Sequence, residues 1–178
     1  MIKVSEIIGY PIICIDTKQK EGEVKDVVLD LENARIVGLI VDNGTIIHTI
    51  KIIEFNNIYC IKQDAVVAKF KKNIKKLKDF DSKKSLIKNN YHIIDKEVVE
   101  ENGNLLGFVQ DILFQKDGGN ILGLVLTNGI IDDILRGVQI LPVNSSMRLT
   151  DERLVVSSKV KNSILDNIGG LKNLLELK

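Results

Sequence analysis

The chain has no tryptophan, and aromatic residues make up only 4% of it. Its core must therefore be built from Ile, Val and Leu, whose branched side chains suit a pleated surface. An excess of one charge is also missing. Lys and Arg number 25 against 24 Asp and Glu, a net charge of +1. No global field then directs the protein to nucleic acid or to an anionic bilayer. No apolar run approaches the roughly 18 residues of a membrane-spanning helix, so no span is expected. The opening "MIKVSEIIGYPIICID" sets Glu6 and Asp16 beside its apolar residues and lacks a small-residue cleavage site. It does not read as a secretory signal.

Chemistry is equally sparse. The two histidines, His48 and His92, lie in no cluster with metal-ligand spacing. His48, in "TIIHTIK", reads as a structural or surface residue. Cys14 and Cys60 sit in apolar runs without a CxxC pattern and read as buried free thiols of a reducing cytoplasm. Ser145-Ser146 has no base near it in sequence, and no GxSxG, GxGxxG or P-loop pattern occurs. The 13 glycines fall in hairpins, strands and the tail, leaving none to cradle a phosphate. The sequence thus points away from an enzyme, with no catalytic residue, cofactor or metal expected.

What the chain does contain is a repeat. Residues 22–44 read "GEVKDVVLDLENARIVGLIVDNG", and residues 107–129 read "GFVQDILFQKDGGNILGLVLTNG". Aligned without gaps, eight of 23 positions are identical, among them Gly22/Gly107, Asp26/Asp111, Gly38/Gly123, Asn43/Asn128 and Gly44/Gly129. Six more exchange one apolar residue for another. Glycines, an acid and an Asn-Gly step in register with the hydrophobic pattern indicate a tandem duplication. The register continues on both sides if the second copy carries roughly four extra residues near "DDILRG", residues 132–137.

In the first copy the strand candidates are 11–16, 22–31, 35–42, 45–51, 58–62 and 65–69, short runs rich in Ile and Val. "LENA" and "KDGG" read as turns, and each Asn-Gly step reads as a tight hairpin. Gly38 and Gly123, inside apolar runs, read as bends or points of close backbone approach. Asp26 and Asp111 read as structural acceptors for backbone N–H groups at a turn or bulge. The expected fold is mostly β: two small antiparallel barrels in tandem, each closed on itself.

Between the copies, residues 69–90 carry nine Lys against two Asp. Phe70, Ile74, Leu77 and Phe80 recur near a helical period, which predicts a short amphipathic linker helix with a solvated lysine face. The tail 159–178 also reads as helical, broken at Gly169-Gly170. The expected division is 1–70 as first barrel, 71–86 as lysine-rich linker, 87–158 as second barrel and 159–178 as tail.

Both repeated stretches resemble the signature of the PRC-barrel domain: Gly-x-Val-x-Asp, an apolar run, a turn, then an apolar residue, Gly and more apolar residues. The resemblance covers roughly 3–69 and 87–158 and suggests a tandem, stand-alone bacterial member. It implies small β-barrels without catalytic residues, of the kind found in the photosynthetic reaction-centre H subunit and in a ribosome maturation factor. The function it implies is docking or assembly. The expected role is a cytoplasmic adaptor for a protein or ribonucleoprotein partner. The alternative is an RNA-binding accessory factor in RNA processing or ribosome maturation, using the lysine-rich linker for weak RNA contact. Candidate partner-binding residues are Lys71, Lys72, Lys75 and Lys76 in the linker, with Asp132, Asp133 and Arg136 in the insertion. Association of the chain with itself is a further expectation.

Overall fold

The computed structural model describes residues 1–44, 50–80, 93–129, 139–144, 146–150 and 152–166. His48, His92, Asp132, Asp133, Arg136 and the Gly169-Gly170 break lie outside the described residues. The chain divides into two compact units. The first comprises Met1–Asp30, Arg35–His92 and Phe114–Asn120; the second comprises Leu31–Ala34, Ile93–Leu113 and Ile121–Lys178.

The first unit opens with β1 (Ile2–Lys3) and a single helical turn, α1 (Val4–Ile7). The Glu6 carboxylate accepts the Lys3 N–H at 2.9 Å, while Val4 and Ile7 face the core. The sheet follows: β2 (Pro11–Cys14), β3 (Lys20–Asp30), β4 (Arg35–Asp42), β5 (Lys51–Glu54), β6 (Ile58–Ile61), β7 (Val66–Ala68) and β8 (Ile74–Lys76). They pair in the order β6-β7-β2-β3-β4-β5-β8. The second unit holds β9 (Glu97–Glu100), β10 (Leu105–Phe114, its last residue in the first unit), β11 (Ile121–Thr127), β12 (Gln139–Leu141), β13 (Arg148–Leu149), β14 (Arg153–Val156) and β15 (Leu165–Asp166). Its path is β13-β14-β9-β10-β11-β12-β15, the same topology strand for strand.

The buried sets correspond as well. Val28, Ile40 and Ile52 cluster in the first unit with Val37 packed against them. Leu113, Val125 and Ile140 cluster in the second, with Leu122 in the equivalent place. Strand pairing locates the insertion. Leu39 faces Ile53 in the first sheet and Leu124 faces Leu141 in the second. The offset therefore grows from 85 to 88 positions between β11 and β12, three residues rather than about four.

Four expectations are corrected. The pairing is not antiparallel throughout. β2 lies parallel to β7, and β9 to β14, because the chain returns beside the first strand of its meander only after a long crossover. Neither pairing path closes on itself among the described strands, so the ladders are open, with β6 and β8 at the ends of the first. β4 ends at Asp42 and β5 begins at Lys51, so the Asn43-Gly44 step does not make a two-residue hairpin, although Gly44 does adopt φ +67°. The tight turns are those at "LENA" and "KDGG", Leu31–Ala34 and Lys116–Gly119.

The linker is the fourth. Residues 71–80 form no α-helix: two single 3-10 turns, Lys71–Asn73 and Leu77–Asp79, flank β8. The spacing of three between Leu77 and Phe80 suits such a turn as well as a helix, and it brings both onto the Val28–Ile40–Ile52 cluster. Pairing with β5 supplies ladder hydrogen bonds that an isolated ten-residue helix would have to replace alone. The start of the tail does the same in the second unit. Ser158–Ser163 is a 3-10 segment, and Leu165–Asp166 pairs with β12 as a strand rather than continuing as a helix.

Candidate functional site

The signature residues are placed by backbone geometry. In the β3–β4 pair the register slips between Val24 and Asp26, a bulge at Lys25. The Asp26 carboxylate accepts the N–H of Val27 at 2.8 Å, just past this bulge. The Asp111 carboxylate accepts the N–H of Ile112 at the same distance. Asp26 is half-buried and Asp111 is buried.

The paired glycines mark close approaches. A Cβ on Gly38 would stand 2.9 Å from the Ile53 carbonyl oxygen, and one on Gly123 would stand 2.6 Å from Ile140 Cγ2. Gly22 and Gly107 likewise face the Asp42 and Thr127 carbonyl oxygens, at 2.5 and 2.8 Å from an added Cβ. Asn43 is half-buried; Gly44, Asn128 and Gly129 are exposed at the strand ends. Among the described residues no group of three His, Cys, Asp or Glu side chains could hold a metal ion. Both cysteines are free, Cys14 buried and Cys60 half-buried.

The other candidate surface is the basic strip around β8, and its lysines are not equivalent. Lys71 Nζ pairs with the Glu21 carboxylate at 2.8 Å, and Thr17 Oγ1 donates to the same carboxylate at 3.0 Å. The backbone N–H of Lys71 donates to Asp16 at 3.1 Å. The hydrogen bond from Lys71 holds the Glu21 carboxyl below its ordinary range, and Glu21 in turn raises the Lys71 ammonium above its own. Lys71 is therefore partly committed within its own unit. Lys75 stands 3.9 Å from Glu54, a loose pair. Lys72 Nζ lies 5.3 Å from the centre of the Phe70 ring, within cation–π range. Phe70 is exposed, whereas Phe80 is buried. Lys76 and Lys78 are exposed and make no ion pair among the described residues.

The sequence displays the lysines but not the part played by Glu21, which lies fifty residues away from Lys71 and meets it only through the fold. Phe70 and Phe80 share one face of the sequence pattern; only burial separates them. The equivalent edge of the second unit, β15, reads Leu165-Asp166, without lysine. Strand β8 thus carries two lysines where β15 carries none.

Two sheets of one topology, with a basic strand at the edge of the first, define a tandem β-sheet module. The PRC-barrel domain model matches the chain twice, over residues 1–74 and 89–163, and the chain belongs to that family as a two-copy member. No curated protein matches it. No described helix is long and apolar enough to cross a membrane.

Proposed function

We propose that the chain is a non-enzymatic adaptor that docks on a protein or ribonucleoprotein partner in the cytoplasm. One observation carries this reading: two copies retain the same structural residues, Gly38/Gly123 and Asp26/Asp111, while their surfaces diverge, basic at β8 and without lysine at β15. A duplicated scaffold with unlike edges suits a bridge between two different contacts. Family membership supports an interaction role. Lys72, Lys75 and Lys76 are the docking residues of the first copy in this reading, with Lys71 contributing through its backbone position. Asp132, Asp133 and Arg136, in the insertion, serve the second. The free thiols Cys14 and Cys60 fit a reducing compartment.

A second reading, an RNA-binding accessory factor, is favoured by the exposed Phe70 ring with Lys72 across it, a small stacking platform. Affinity capture with the full chain, with and without nuclease, followed by cross-linking, separates the two. Nuclease-resistant partners cross-linked to the basic strip support the adaptor. Partners lost on nuclease treatment support RNA binding. Lysine contacts alone would give RNA affinity that falls by about two or three orders of magnitude between roughly 50 and 200 mM salt.

A further inference from the structure

β8 ends the pairing path of the first sheet, and no described strand lies along its outer side. Leu77 donates its N–H to the Ile50 carbonyl at 2.8 Å, and the register sets Lys76 opposite Lys51 and Lys75 opposite Ile52. Hydrogen-bonded and non-bonded pairs alternate along an antiparallel ladder. Lys75 and Leu77 therefore direct their backbone groups at β5, and Ile74 and Lys76 direct theirs outward. The Ile74 N–H is taken by the Lys71 carbonyl in the preceding turn. The Lys76 carbonyl serves as the N-cap acceptor of the 3-10 turn Leu77–Asp79. The Ile74 carbonyl and the Lys76 N–H are left as an open stretch of ladder.

Lysines at a sheet edge deter pairing with another like edge. They do not deter an acidic strand; they favour one. Lys72, Lys75, Lys76 and Lys78 lie on or beside this edge, against Asp79 and Asp81 as the nearby acids in the sequence. We propose that β8 accepts an extended, acidic segment of a partner protein, which adds to the first sheet as a further strand. This rests on the adaptor reading and names the chemistry of its partner. The three-residue edge offers few ladder bonds, so binding is weak on its own and sensitive to salt.

The test is fluorescence anisotropy on the full chain with a labelled peptide alternating Glu and Val. The same peptide, N-methylated at alternate residues, keeps its charge and loses ladder donors. Lys76 has φ −66°, which proline shares, so Lys76→Pro removes the outward N–H without forcing the backbone. Lys76→Gln removes the charge alone. Lys76→Pro should bind the peptide about fivefold to tenfold more weakly than Lys76→Gln, the loss of about one hydrogen bond. N-methylation should weaken binding similarly, and the peptide should slow amide exchange across residues 74–77. Equal binding by the two variants, or by the two peptides, overturns the proposal. So does displacement of the peptide by oligouridylate at equal or lower concentration, which would make the strip a general polyanion face. If the peptide fails while a protein partner cross-links elsewhere, this inference falls and the adaptor reading stands.

Discussion

At the scale of the residue, the two signature acids make the same bond in different degrees of burial. Asp26→Ala and Asp111→Ala should each destabilise the chain by about 1–3 kcal/mol, with the buried Asp111 costing more. Chemical denaturation checks both. Variants that unfold like wild type but lose a partner would make these acids binding residues instead. Their equivalent placement was legible from their repetition in register; the bulge at Lys25 that Asp26 follows was not, because a bulge is set by the partner strand. Glu21 makes a prediction about pH. Its carboxyl is held low by Lys71, so the pair stabilises the fold above the ordinary carboxylate range, and this contribution disappears as pH falls through the depressed value. Lys71 is held high, so the same contribution is lost again only as pH rises past the ordinary lysine range. The stability difference between wild type and Glu21→Gln should thus be flat near neutrality and shrink in acid. A difference that grows in acid would show that the pairing has been assigned the wrong sign.

At the scale of the element, the strands were legible wherever Ile and Val alternated with turn residues, as in β3, β4, β10 and β11. Residues 70–80 were not. Their apolar spacing fits a helix and a pair of 3-10 turns equally, and the choice is made by the open side of β5, which a linear pattern does not display. Phe80 decides whether this segment is connector or sheet. It is buried in the cluster of Val28, Ile40 and Ile52, so Phe80→Ala should cost about 3–5 kcal/mol. Phe70→Ala, at an exposed ring, should cost far less. Equal and small losses in thermal or urea unfolding would return the segment to the status of a linker. The basic strip was legible as composition, but its division into committed Lys71 and uncommitted Lys76 and Lys78 required the position of Glu21.

At the scale of the whole molecule, the two units do not follow the two sequence copies. The first unit takes in residues 114–120, the turn of the second copy's hairpin. There the Gly119 carbonyl accepts the Ile36 N–H at 2.8 Å, Arg35 reaches the Gly118 carbonyl at 3.0 Å, and Phe114 meets Phe55 edge-on at 6.3 Å. The second unit takes in residues 31–34, where the Ala34 carbonyl accepts the Ile121 N–H at 2.8 Å. These two bonds are equivalents under the 85-residue offset. Gly119 has φ +72°, and a Cβ there would press on Phe55 at 2.9 Å. Gly119→Ala should cost about 1–3 kcal/mol, and hydrogen exchange should quicken around Ile36 and Phe55, far away in sequence. Loosening confined to residues 105–126 would contradict this membership. The arrangement also bears on inheritance. Tandem repeats are prone to losing a copy by recombination, and here such a loss would not leave one finished half behind. A gene reduced to the first copy would encode Ile36 without its acceptor and Phe55 without its neighbour, so deleting one copy would damage what remains of the other.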